Sequence, residues 1–187
     1  MRILLLHPNY HSGGAEIAGN WPPAWVAYIV GYLKAAGYTD VHFVDAMTHH
    51  LDDEQVRQKI LDLRPDIVGC TAITPAIYKA ERLLEIAKEV DPKIVTVLGG
   101  IHGTFMYPHV LKEAPWIDAV VRGEGEQVFL NLVAAVDQGH WEEERSKVRG
   151  IAYAVDGKVI ATAAEPPIKD LDKVKPDWSI LEWDEYV

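Results

Sequence analysis

Five short runs rich in Val, Ile and Leu, each followed by a longer stretch with apolar residues at helical spacing, constrain this chain more than any other feature. A parallel sheet requires that alternation. Parallel neighbours need a crossover long enough to hold a helix, and strands covered on both faces read as continuous apolar runs. The runs predict strands at Arg2–His7, Val41–Asp45, Asp66–Thr71, Lys93–Leu98 and Ile117–Val121. Helices are predicted over Pro22–Ala36, stopped by Gly37, and over Asp52–Arg64, Pro75–Val90, Met106–Glu113 and Glu126–Gln138, the last stopped by Gly139. In Pro75–Val90 the residues Ile77, Ala80, Leu83, Leu84 and Ala87 share one face, while Lys79, Glu81, Arg82, Glu85 and Lys88 fill the other.

With 187 residues, 49% of them hydrophobic, the chain can bury one core of ordinary domain size. After Gly150 the rhythm changes. "GIAYAVDGKVIATA" places two short strands around Asp156–Gly157, a strong signal for a two-residue hairpin turn. The final stretch, "EPPIKDLDKVKPDWSILEWDEYV", mixes prolines and charges with Trp178, Trp183 and Tyr186. It lacks a core of its own, and either packs back on the sheet with its aromatics covered or connects onward with them exposed. The expected organisation is an α/β domain over 1–140, a hairpin appendage over 141–164 and a linker over 165–187.

Composition removes several classes of function. A formal net charge of −10, from 28 acidic against 18 basic residues, argues against a nucleic-acid surface, so small molecules or proteins are the expected partners. No apolar run reaches the ~18 residues of a membrane span, and "RILLLHPN" after Met1 is too short for a signal peptide. A soluble cytoplasmic protein is expected. The single cysteine, Cys70, excludes an internal disulfide and an iron–sulfur cluster held by cysteines of this chain alone. It lies in a predicted buried strand, where a free cysteine packs as a small apolar residue.

In an open parallel sheet, ligands bind outside the carboxyl ends of the strands, where the strand order reverses. The unusual residues of this chain fall at those ends: "HPNYHSGGAEIAGNWPP" after the first strand, "TAITP" after the third, "GGIHGT" after the fourth and "RGEGE" after the fifth. Gly99 and Gly100 allow a ligand close to the backbone, and His102 and Thr104 add polar contacts. Each loop has a plainer reading. Gly-Gly makes a tight turn with His102 capping the next helix, Thr71 or Thr74 caps the helix that Pro75 opens, and "RGEGE" starts a helix with acidic residues. Their gathering on one edge is what points to a site.

Catalytic signatures are scarce. There is no "GxxxxGK[ST]", no "GxGxxG" after the first strand, and no acidic pair after that strand of the sort a phospho-receiver needs. His49–His50 reads as a solvated turn with no third ligand spaced to join it. Glu124 and Glu126 have no nucleophile nearby, so acid–base catalysis by them is not expected.

Six segments, "RILLLHPN", "PPAWVAYIVGYLKAAGY", "DIVGCTAIT", "VTVLGGIHGTFMYPHVL", "DAVVRGEGE" and "GIAYAVDGKVIATAAEPPIKDLDKVKPDW", together cover nearly the whole chain. In this order they resemble the cobalamin-binding domain that precedes the radical S-adenosylmethionine (SAM) domain in a large enzyme family. Within it, "HPNYHSGGAEIAGNWPPAWVAYI", "TAITPAIYKAE" and "GGIHGTF" are similar to the branch that acts oxidatively on a magnesium porphyrin ester in bacteriochlorophyll synthesis.

The resemblance implies a flavodoxin-like (Rossmann-like) α/β fold with a five-stranded parallel sheet of order 2-1-3-4-5, followed by the C-terminal hairpin and linker. It implies a base-off cobalamin whose nucleotide tail enters the sheet edge. Gly99, Gly100, His102 and Thr104 would lie by the corrin or its tail, and Thr71, Ala72, Ile73 and Thr74 would line the tail cleft. Gly123, Glu124 and Glu126 would close the far side, and the first loop, with Asn9, Gly13, Gly14 and Glu16, would meet the ring edge. Where other members carry a small residue after the paired prolines, this chain has Trp25.

"DVHFVD" is similar to the "DxHxxG" signature whose histidine binds cobalt from below, but it lies across the second strand and ends in Asp45 rather than glycine. His42 is therefore expected to be structural, with no protein histidine under the cobalt and His102 a more distant or tail contact. The family's [4Fe-4S] cluster, SAM and porphyrin substrate would belong to a radical SAM domain joined through the tail. This part alone is expected to bind without catalysing. Two other readings stay open: a stand-alone cobalamin-responsive carrier or sensor that acts through a protein partner, and an interaction domain with no cofactor.

Overall fold

All five apolar runs are strands, within two residues of their predicted bounds. In the computed structural model, which describes residues 1–10, 21–170 and 175–186, β1 is Ile3–His7, β2 Val41–Asp45, β3 Ile67–Thr71, β4 Val95–Gly99 and β5 Ala119–Val121. The helices are α1 (Ala24–Ala35), α2 (Asp53–Leu63), α3 (Ile77–Val90), α4 (Gly100–Glu113), α5 (Gly125–Asp137) and the short α6 (Trp141–Glu144). The parallel strands run in the order β2-β1-β3-β4-β5. The hairpin, β6 (Ile151–Val155) and β7 (Lys158–Ala161), joins the same sheet antiparallel to β5.

Local chemistry sets these boundaries. Asp52 accepts a hydrogen bond from Gln55 N while the Gln55 side chain accepts from Asp52 N, a reciprocal cap that starts α2. In the hairpin turn Asp156 and Gly157 both have positive φ, 48° and 73°, as a two-residue turn matched to the strand twist requires. One prediction is corrected. The helix expected from Met106 begins at Gly100, so "GGIHGT" is not a loop but the first turns of α4. Gly100, at φ 90°, turns the chain straight from strand to helix, and His102 N–H donates to Ala72 O at 3.2 Å.

Side-chain alternation along the strands builds two cores. Leu4, Leu6, Val68, Leu98 and Val120 face α2, α3 and α4, while Ile3, Leu5, Ile67, Val97 and Val121 face α1 and α5. At the amino ends of the strands, carboxylates tie neighbours together. Asp66 accepts from Arg2 N at 2.6 Å, and Asp40 accepts from the Arg2 guanidinium and pairs with His42 Nε2 at 2.7 Å. Asp118 accepts from Thr96 N at 2.8 Å and pairs with Lys88 Nζ at 2.6 Å. His42 thus sits in a structural pair at that end of β2.

The described part of the tail packs back on the sheet domain. Asp177 N–H donates to Ala27 O at 2.8 Å, its carboxylate pairs with Lys34 at 2.7 Å, and Leu181 is buried in the core under α1. Tyr186 donates its hydroxyl proton to the buried Asp45 at 2.8 Å. The expectation of exposed aromatics therefore divides: Tyr186 is tucked in, whereas Trp178 and Trp183 are 38% and 50% exposed and lean on each other.

Candidate functional site

The cavity opens at the carboxyl ends of the strands, on the α1/α5 face. Leu5, Gly69, Val97 and Val121, one from each of four neighbouring strands and all on the same face, make its floor. Trp25 and Ile29 of α1 form one wall, and Phe129 of α5 the other. Thr71, Gly99, Gly100, Gly123, Gly125 and the two glutamates Glu124 and Glu126 make the mouth. The space is about 310 Å³, the size of a small-molecule site.

A missing side chain opens its floor, and another lets the backbone close at its mouth. A β-carbon at Gly69 would sit 3.0 Å from Leu5 Cδ2 and 3.4 Å from Phe129 Cζ, in the middle of the floor. One at Gly100 would meet Ala72 O at 2.6 Å, on a backbone whose φ of 90° L side chains rarely adopt. Trp25 crosses Phe43 edge-on at 6.1 Å and lies beside His7, so its ring is held as a wall. Both rings keep a buried nitrogen, Trp25 Nε1 and His7 Nδ1, without a hydrogen-bond partner among the described residues. Burial lowers the pKa of His7 below the ordinary imidazole value, and nearby Asp45 offsets this in part.

The residues singled out from sequence divide into four groups. Thr71, Gly99, Gly100, Gly123, Glu124 and Glu126 come together at the cavity mouth. Ala72, Ile73, Thr74, His102 and Thr104 do not line the cavity: Ala72 is buried, Ile73 is 45% exposed, and the Thr74 hydroxyl and His102 Nδ1 meet at 3.1 Å. Thr104 ties the first turn of α4 to the loop after β5, its hydroxyl donating to Gly100 O at 3.0 Å and accepting from Gly123 N at 3.1 Å. Asn9 lies apart, beside α2, with its amide donating to Leu51 O at 3.1 Å. Gly13, Gly14 and Glu16 lie outside the described residues.

His102 has a lowered pKa, from burial first and the neighbouring His109 second. His49 meets Glu182 of the tail at 3.1 Å, and among the described residues no cluster of His, Cys, Asp or Glu is arranged to hold a metal. Cys70 is buried, which pushes its thiol pKa up, as expected of a small apolar residue in a strand. Sequence reasoning missed the floor and walls, Leu5, Gly69, Val97, Val121, Ile29 and Phe129. What unites the floor is a structural register, Leu5, Gly69 and Val97 standing side by side across β1, β3 and β4.

Comparison with known proteins gives consistent matches. A family model described as the B12 binding domain matches residues 10–133. All of the chain aligns, at 77% identity, with 34% of the anaerobic magnesium-protoporphyrin IX monomethyl ester cyclase of Rubrivivax gelatinosus. All of it also aligns, at 56% identity, with 31% of the enzyme of that name from Cereibacter sphaeroides. The chain thus spans about a third of the length of these curated relatives. Among solved structures, the cobalamin-dependent SAM radical enzyme OxsB with aqua-cobalamin bound superposes with a TM-score of 0.80 at 18% identity, covering 100% of this chain and 25% of that one. At that identity the likeness shows the fold.

Proposed function

The chain belongs to the B12-binding domain family, and from that premise we propose that it is the cobalamin-holding module of a longer radical SAM enzyme of the magnesium-protoporphyrin IX monomethyl ester cyclase kind. The observation that carries this reading is the apolar cavity at the carboxyl edge, whose floor is open where Gly69 lacks a side chain. Its lining fits the group. A flat heteroaromatic base matches the Trp25, Ile29 and Phe129 walls, and the glycine mouth admits a bulky ring system close to the backbone.

In this reading the nucleotide tail of a base-off corrinoid enters the cavity, and the corrin lies over the edge formed by "TAIT" and the first turns of α4. Thr104 holds the mouth in shape by joining the first turn of α4 to the loop at Gly123. His42, committed to Asp40 at the other end of the sheet, stays away from the cobalt, and His102 acts as a more distant contact through Thr74. Bound here, the corrinoid supplies cobalt-centred chemistry to the edge. The iron–sulfur cluster, SAM and porphyrin ester belong to the remainder of such an enzyme, which forms the isocyclic ring of (bacterio)chlorophyll in the cytoplasm. Alone, this chain binds without catalysing.

Titration with hydroxocobalamin, followed by visible absorbance and thermal melting, tests the reading. Saturable binding with a base-off spectrum is expected, with stabilisation of about 2.7 kcal/mol at a hundredfold excess over the dissociation constant. Absence of both changes in this chain and in its full-length form would overturn it.

A further inference from the structure

Among the described residues, two side chains that line the cavity carry charge, Glu124 and Glu126, and no lysine or arginine joins them. The two are not equivalent. Glu124 is engaged: its Oε2 accepts from Ile168 N at 2.8 Å and ties the tail to the mouth. Glu126, in the first turn of α5, makes no hydrogen bond or ion pair among the described residues. It is half-buried, and with Glu124 it adds to the burial that raises the pKa of Tyr32 on α1.

A carboxylate at the lip of an apolar cavity is costly to desolvate and accepts only from a donor. The pair also sets a negative field at the mouth, which repels a phosphate and favours a hydroxyl or amide N–H. What enters must therefore be neutral, apolar in its body and donor-bearing at its outer end. A ribosylated heteroaromatic base has that form; a phosphate does not. Resting on the corrinoid reading above, we propose that Glu126 accepts a hydrogen bond from a sugar hydroxyl of the corrinoid's nucleotide, with the phosphate left outside the cavity.

A purely structural role is the competing explanation, since an acidic residue in a first helical turn is favoured without any ligand. Coupling separates the two. Dissociation constants are measured for cobalamin and for cobinamide, which keeps the corrin but lacks the nucleotide, with the native chain, Glu126→Ala and Glu126→Gln. The expected result is a roughly tenfold loss of cobalamin affinity in Glu126→Ala, about 1.4 kcal/mol, with cobinamide affinity within about twofold of native and melting unchanged. Glu126→Gln keeps an acceptor oxygen and falls between. If cobinamide binds too weakly to titrate, 5,6-dimethylbenzimidazole and its riboside give the same comparison without the ring, the riboside alone losing affinity in Glu126→Ala. Equal losses for both members of a pair, or no loss for either, overturn the assignment while leaving the corrinoid reading intact. A native protein that binds neither corrinoid, as this chain or in its full-length form, overturns that reading, and this inference with it.

Discussion

The two ends of the same sheet are built on opposite terms. At the amino ends, Asp40, Asp66 and Asp118 each stand directly before a strand and bond to a neighbouring element, so the edge is closed by charge. At the carboxyl ends of β3, β4 and β5, Thr71, Gly99, Gly100 and Gly123 line the mouth of an apolar cavity instead. The difference teaches a division of labour. Carboxylates with hydrogen-bond partners hold the strands in place at one end, and absent side chains at the other leave room for a ligand.

Four changes sharpen or break that comparison, taken from the largest expected effect to the smallest. Gly100→Val should be the most severe, because its β-carbon overlaps Ala72 O and a β-branched residue is strained at φ 90°. We expect a loss of about 2 kcal/mol or more in denaturant unfolding, together with loss of hydroxocobalamin binding. Asp118→Ala attacks the opposite edge and leaves the N–H of the fully buried Thr96 without its side-chain acceptor, at a cost of about 2 kcal/mol. Corrinoid affinity should stay within twofold of native; a large fall would show that the two ends are not independent.

Gly31→Ala tests the tail. A β-carbon there would lie 2.0 Å from Lys175 O, so the tail must lift. Alanine improves the helix by ~1 kcal/mol, while exposing Leu181 forfeits ~1.5–3 kcal/mol. The net is a loss of about 1 kcal/mol, read as a lower melting temperature with a red shift in tryptophan emission from Trp178 and Trp183. The smallest effect is that of acid. Asp177 is held at about 2 by Lys34 first and Ser179 second, below its ordinary 3.8. Its contribution to docking is complete above 3.8 and is lost as pH falls towards 2. The same emission should therefore shift over that window, and Asp177→Asn should remove the shift.

Much of this architecture was legible in the sequence. Val/Ile runs separated by helix-length spacers marked the strands, and "DG" marked the hairpin turn. The start of α4 was not legible, because two glycines followed by a histidine and another glycine read as a loop; Gly100 instead makes a one-residue turn that places both neighbours in regular structure. The cavity floor was hidden for another reason. In strands buried on both faces every position is apolar, so "ILLLH" does not say which leucine looks toward α1. Glu126 was found as a candidate, but its distinction from Glu124 depends on Ile168, forty-four residues from Glu124 in the chain.

The hairpin, finally, bears on how the protein behaves in a crowded solution. Without it the sheet would end at β5, whose three residues Ala119, Val120 and Val121 are all buried, and an uncovered apolar strand with unpaired backbone groups invites pairing with another molecule. By adding β6 and β7, the chain moves its border outward to a strand of four residues that begins with the exposed Lys158. A charged, short border of that kind discourages sheet-to-sheet aggregation, so the turn at Asp156–Gly157 protects the solubility of a domain whose working parts lie at the carboxyl edge.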